Sequence, residues 1–291
     1  MTSTNVAQST SLEPPQEYFS RDGFLVLEGF LAEDETERLL SEVDVALRRP
    51  RHPSCTRPHN TLLPLRWSDT TVRVLLESDC RIQMVRDATG ANDLRWISAY
   101  ISIKDARSGP LGWHQDWWCW DHPVSFRRPA PQIAVLCYLN HTDRESNGAL
   151  RLLPGSHLRS SAIHVTLAEA HEAATEGLVP GHPALSDHPA QVTLLLAAGN
   201  AVVIDYRLLH GTHANTSELR RDCVILNFTP SWRDLPDDIR AHLINHSAQP
   251  AKDEVIPAVP SWESGLLPRF DGVRRDLHLN RFPPAQFETC E

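Results

Sequence analysis

His114 and Asp116 stand one residue apart in the run Gly112-Trp113-His114-Gln115-Asp116; His210 follows His114 by 96 residues and Arg221 follows His210 by 11. On an extended strand, residues two apart share a face. An imidazole and a carboxylate from the first run can therefore meet a second imidazole at one ion, while Gln115 turns away. Two histidines and one carboxylate on one face of an octahedron leave three positions open, the donor set associated with non-haem Fe(II) oxygenases. Those positions accommodate a bidentate 2-oxo acid and dioxygen. The planar fork of an arginine adds a docking point for an acidic cosubstrate through two charge-assisted hydrogen bonds.

A His-x-Asp triplet arises by chance in a chain with 15 histidines, so its surroundings carry the specificity. Four pieces occur in order: Tyr18-Phe19-Ser20-Arg21-Asp22-Gly23-Phe24, then Gly109-Pro110-Leu111 leading into Gly112–Asp116, then Asn147 through Pro154-Gly155-Ser156-His157, then His210-Gly211-Thr212 through Asn215 to Arg220-Arg221. Together they resemble the phytanoyl-CoA dioxygenase family of Fe(II)/2-oxoglutarate-dependent oxygenases, from about Tyr18 to about Phe228. The resemblance implies that His114, Asp116 and His210 are the metal ligands and catalytic centre. It also implies that Arg221 pairs with the distal carboxylate of 2-oxoglutarate. Arg220 competes for that role, since strand alternation lets only one of the two face inward. Tyr100 and Lys104 sit where relatives contact 2-oxoglutarate.

In related halogenases a small residue replaces the carboxylate ligand, so Asp116 points to oxygenation. The implied cofactor is Fe(II), with 2-oxoglutarate and O2 as cosubstrates. Decarboxylation yields succinate and CO2, and a substrate hydrogen is then abstracted. Hydroxylation, desaturation, ring closure and ketone formation all remain open as outcomes. The rival reading is a non-catalytic jelly-roll protein that holds a metal structurally or binds a sugar.

The elements that must position these residues follow from periodicity. Gly23–Phe30 reads as a short strand and Asp34–Arg48 as an amphipathic helix with Leu39, Leu40, Val43 and Leu47 on one face. Helical pattern recurs near Thr70–Glu77 and Arg81–Ala88. From Leu94 the period becomes two: Ile97, Ala99, Ile101 and Ile103 form one face, and Trp96, Ser98, Tyr100, Ser102 and Lys104 the other. Such a strand can show a polar face to an internal ligand and an apolar face to its packing layer.

Further strands are expected at Gln132–Asn140, Ala149–Leu153, Gln191–Leu196, Ala201–Asp205 and Asp222–Thr229. The fold class is mainly β with flanking α: a double-stranded β-helix (jelly-roll, cupin-like) core with amino-terminal helices. Asn227 shares the face of Arg221 and can line the pocket. Trp117, Trp118 and Trp120 either pack over the barrel mouth or form a substrate platform. Pro154-Gly155-Ser156 makes a turn, with His157 near the site as a lesser possibility, and Gly199-Asn200 makes another. Ser160–Pro189 reads as an insertion at the pocket mouth. The proline-rich tail after Pro230 either covers the site or packs on the exterior.

Composition bounds the rest. The 291 residues, 41% of them hydrophobic, suffice for one domain over residues 16–291, behind a polar, disordered leader at 1–15. No signal peptide or apolar run of membrane-spanning length is present. The six cysteines show no CxxC pair, which argues against a zinc module or disulfide framework and fits a reduced, cytoplasmic setting. A formal charge of −9 disfavours nucleic acid and, more weakly, a CoA thioester. An aromatic-rich mouth in an acidic protein suits a small sugar- or amine-bearing natural product. Substrate identity and oligomeric state are not encoded legibly.

Overall fold

A computed structural model describes residues 13–50, 52–57, 59–167, 181–252, 254 and 265–290. The chain opens with α1 (Pro15–Asp22), β1 (Phe24–Leu27) and α2 (Glu33–Arg48). β2 (Thr56–Arg57), β3 (Asn60–Leu65), α3 (Thr70–Leu76) and α4 (Asp79–Thr89) lead into the long β4 (Arg95–Lys104). Then come β5 (Leu111–His114), β6 (Ile133–Tyr138), β7 (Leu150–Leu152), β8 (Val192–Leu194), β9 (Ala201–Asp205), β10 (His210–Thr212) and β11 (Arg221–Thr229), with α5 (Asp237–Leu243) behind them. Residues 1–12 of the expected leader lie outside the described residues. Its last residue, Pro15, begins α1, where a proline at the first helical position leaves no amide unpaired.

The strands form two antiparallel sheets, one ordered β1-β9-β6-β11-β4-β3-β2 and the other β5-β10-β7-β8, the double-stranded β-helix that the patterning predicts. On the outer face of the large sheet, Leu39, Val43, Val72, Leu75, Ile82 and Val85 of the helices pack on Ala99, Ile101, Ile103, Val135, Val203 and Val224. Between the sheets, Ala134, Leu136 and Tyr138 of β6 meet Leu150 and Leu152 of β7. β6 is thus buried along its whole length, with apolar partners on both faces. Among the described residues no helix is long and apolar enough to cross a membrane.

Two expectations change. Strict alternation along β4 holds from Ser98 to Lys104 and breaks before it: Trp96 joins the outer core with Ala99 and Ile101, while Ile97 turns to the inter-sheet space. The cause is a register irregularity opposite Asn227 and Phe228, since one extra residue in a ladder reverses the face of everything beyond it. β2 and β3 were unmarked in the sequence because β2 is only two residues long and Pro64 interrupts β3. Pro64 is tolerated since β2 pairs only with Thr61 and Asn60, leaving the Pro64 nitrogen at an open edge.

Residues 168–180 of the 160–189 insertion lie outside the described residues, and part of its described flank docks on Trp113 and Arg151. Trp113 Nε1 donates to Ser186 O, and Arg151 donates to Ala184 O, Leu185 O and Ser186 O. None of these flanking residues borders the internal cavity. The tail after Pro230, left open between covering and exterior packing, forms α5 and covers one side of that cavity.

Candidate active site

β10 lies between β5 and β7, and in its register His210 stands directly opposite His114. So close an approach of strands needs Gly211: a Cβ there would sit 2.7 Å from Leu111 O and 3.0 Å from Gly112 O. The imidazoles face each other with ring centroids 4.1 Å apart. Asp116 is not on the strand as expected, because β5 ends at His114. Its amide instead donates to Tyr206 O at 2.9 Å, and this bond turns the carboxylate back toward the histidines, placing Asp116 Oδ2 3.6 Å from His210 Nε2. One ligand atom from each of the three lies within 4.8 Å of the others. Gln115 is buried and points away. With its amide oriented to satisfy both ends, it donates to Arg207 O and accepts from Trp120 Nε1.

The ring orientations fit a metal. His114 Nδ1 bonds to Gly112 O at 2.9 Å and His210 Nδ1 to Leu208 O at 3.0 Å. A carbonyl can only accept, so both Nδ1 atoms carry the proton and both Nε2 atoms keep a lone pair. Neighbouring turns support this arrangement. Ser156 Oγ accepts from Leu209 N, and Leu153 N donates to Leu209 O. The Pro154-Gly155-Ser156 turn therefore braces the residue before His210, in the architectural role expected of it. His157 bonds to Ser20 O instead and does not border the cavity.

The triad opens into a cavity of about 490 Å³ between the sheets, whose wall includes Tyr100, Lys104, Trp118, Arg221 and Asn227. Arg221 faces inward and Arg220 outward, where Arg220 forms ion pairs with Asp44 and Asp222. Arg221 NH1 donates to Gly148 O at 2.7 Å, and its guanidinium lies over the Tyr138 ring. Its Nε is buried with no partner, and among the described residues no carboxylate pairs with it. A buried cation so placed is incomplete without an anion.

Beside it, in register across β4 and β11, Lys104 Nζ donates to Gly109 O at 2.6 Å. The stem of Lys104 runs over Gly148, whose positive φ of 72° and lack of a side chain make the room. Burial, with the Arg221 charge behind it, pushes the Lys104 ammonium down to about 7. Further along, Asn227 Nδ2 donates to Ser98 Oγ while its Oδ1 is buried without a partner. Tyr100 OH lies 3.3 Å from His246 Nε2.

Of the three tryptophans, only Trp118 reaches the cavity. It stacks on His242 with centroids 4.4 Å apart and donates from Nε1 to Gln132 Oε1. Trp117 and Trp120 are fully buried: Trp117 Nε1 donates to Ser125 Oγ, and Trp120 packs on Phe126 and Phe287. Their expected share in a substrate platform is corrected to core packing. Sequence reasoning passed over Tyr206, Gln132, His242, His246, Asp276 and Arg281 of the cavity wall. The last four come from the irregular tail, where no period marks a face.

The sequence profile of the family described as Phytanoyl-CoA dioxygenase (PhyH) matches residues 19–223. The ectoine dioxygenase of Bordetella parapertussis (strain 12822 / ATCC BAA-587 / NCTC 13253) is 30% identical over 240 residues, covering 76% of this chain and 75% of that protein. A probable alpha-ketoglutarate-dependent hypophosphite dioxygenase of Stutzerimonas stutzeri is 24% identical, covering 74% and 77%. In fold the chain is similar to HygX from Streptomyces hygroscopicus, solved with nickel, 2-oxoglutarate and hygromycin B bound. The TM-score is 0.56 at 21% identity, over 75% of this chain and 88% of that one.

Proposed function

Because the chain belongs to the phytanoyl-CoA dioxygenase family and is an Fe(II)- and 2-oxoglutarate-dependent dioxygenase that uses O2, we propose that His114, Asp116 and His210 hold its iron and that it oxidises a C–H bond of a small polar molecule in specialised metabolism. One observation carries the reading: a buried, carboxylate-free Arg221 opens onto the same cavity as the His-Asp-His cluster. Iron bound at that cluster supplies the coupling of 2-oxoglutarate decarboxylation by O2, giving succinate and CO2, to oxidation of the substrate.

The chain's own residues do the positioning. The two Nε2 lone pairs and the Asp116 carboxylate form the ligand face. Arg221 takes the distal carboxylate of 2-oxoglutarate through Nε and a terminal nitrogen, and Lys104 adds charge beside it. Tyr138, Leu136 and Leu150 close that part of the cavity with apolar surface, which excludes water and strengthens the ion pair. Tyr100 bounds the cosubstrate space. Trp118 and Asn227 face the prime substrate, which the Asn227 Oδ1 can engage as an acceptor.

Relatives named for ectoine and hypophosphite, and a solved structure holding hygromycin B, support a small polar substrate. The test is a metabolite-library incubation with Fe(II), 2-oxoglutarate and O2. The expected result is succinate released slowly without substrate and faster with a molecule that itself gains oxygen or loses hydrogen. Failure of the iron-loaded protein to form succinate under any condition overturns the reading.

A further inference from the structure

We infer that Arg281 docks a carboxylate of the prime substrate, so that the cavity reads two acids, one at each end. This rests on the assignment of Arg221 to 2-oxoglutarate. Register separates the two arginines. Arg221 stands opposite Lys104, and Asn227 stands opposite Ser98, on the same strand pair. Asn227 is therefore six residue steps along β11 from Arg221, about 20 Å at roughly 3.4 Å per residue. Tyr206 belongs to the Asn227 end: its amide donates to Gln132 O, just before Ile133, which pairs with Phe228. The Arg281 charge acts on Tyr206 and on His242, whereas Arg221 acts on Lys104 and Tyr138. Arg281 thus occupies the end of the cavity away from the cosubstrate arginine.

The guanidinium is held there and left unused. Asn280 N donates to Trp118 O, Trp120 N donates to Asn280 O, and Asn280 Nδ2 reaches Asp121 Oδ1. The backbone next to Arg281 is thereby clamped to the segment that follows Asp116. Arg281 itself is half-buried in the cavity wall and makes no hydrogen bond or ion pair with any described residue. Asp276 does not neutralise it, since that carboxylate accepts from Asn245 Nδ2 and faces His242 Nδ1 at 3.5 Å.

A planar guanidinium fixed at its backbone, facing a cavity with both edges unpaired, matches a carboxylate bidentately. No second lysine or arginine borders this end. A single cation beside an acid favours a monoanion over a phosphate. The neutral Tyr206, His242 and Asn245 around it can complete the hydrogen bonding of such a group.

The experiment uses the Fe(II)- and 2-oxoglutarate-loaded enzyme under nitrogen, titrated calorimetrically with ectoine, proline and benzoate and with the primary amide of each. Wild type should bind at least one acid roughly tenfold to a hundredfold tighter than its amide, the range of one charge-assisted bidentate contact. Arg281→Ala and Arg281→Gln should remove that difference and Arg281→Lys should keep part of it, with the 2-oxoglutarate titration unmoved and thermal midpoints close to wild type. Acids and amides behaving alike on the wild type, including no binding by either, would overturn the inference. So would an acid preference that survives in Arg281→Ala. The underlying reading fails separately: Arg281→Ala would then raise the 2-oxoglutarate requirement and Arg221→Ala would not.

Discussion

At Arg221 a guanidinium with an unpartnered Nε sits against an aromatic ring and one carbonyl, while its neighbour Arg220 is tied to two aspartates. Replacing each by alanine should therefore separate two effects. Arg221→Ala should weaken 2-oxoglutarate binding by roughly tenfold or more with little change in thermal midpoint. Arg220→Ala should lower the midpoint, because buried Asp222 loses its partner, and leave 2-oxoglutarate affinity near wild type. Binding titrations and thermal scans on both variants check this, and the reverse pattern would mean that the strand phase is inverted.

Lys104 makes a second residue-level prediction with a definite sign. Its ammonium is held at about 7 in the folded protein, well below the usual lysine value near 10.4. Between these values the unfolded chain binds the proton and the folded chain does not, so stability gains from rising pH across that window. Denaturant unfolding of the apo protein from pH 7 to pH 10 should show wild type gaining on Lys104→Met. A stability difference independent of pH would show that the amine titrates normally.

Among the elements, the segment after Asp116 divides its work by position. Trp117→Ala and Trp120→Ala should each cost about 3–5 kcal/mol of stability, as core aromatic truncations do, and lower all activities together. Trp118→Ala should instead raise the share of succinate formed without product, with 2-oxoglutarate affinity nearly unchanged. Thermal midpoint, cosubstrate affinity and coupling ratio on the three variants decide, and parallel losses in all three would place Trp118 in the core as well.

This segment also marks where sequence reasoning reached its limit. The juxtaposition of His114, Asp116 and His210 and the inward face of Arg221 were legible because ligand and carboxylate chemistry admits few residue types at fixed separations. Three neighbouring tryptophans were not, since a large aromatic side chain reads alike in a core and in a cavity wall. The same ambiguity hid the irregularity in β4: Ile97 looks like Ile101 in composition, and only its pairing with β11, which leaves Ile97 as the extra residue opposite Asn227 and Phe228, turns it inward. Helices with an apolar stripe and strands with a strict period were recovered to within a few residues at their ends. β3 was lost because Pro64 suits an edge whose position depends on pairing.

At the scale of the whole molecule, two sheets and a carboxyl-terminal segment enclose the cavity, and its lining divides by origin. The sheets supply His114, His210, Lys104 and Arg221 and the turn after β5 supplies Asp116, while the tail supplies His242, His246, Asp276 and Arg281. The half lined by Lys104 and Arg221 follows from strand register and the family motifs. The outer half depends on long-range contacts of irregular chain, which leave no periodic trace. The central claim is that the cluster holds one catalytic iron to which 2-oxoglutarate binds, and anaerobic titration of the apo protein with Fe(II) and then 2-oxoglutarate tests it most directly through the metal-to-ligand charge-transfer absorption of the chelate. Wild type should develop the band at one iron and one 2-oxoglutarate per chain, whereas His114→Ala, Asp116→Ala and His210→Ala should lose or greatly weaken it while keeping the wild-type circular dichroism. A full band in the histidine variants, or none in the folded wild type, would contradict the account.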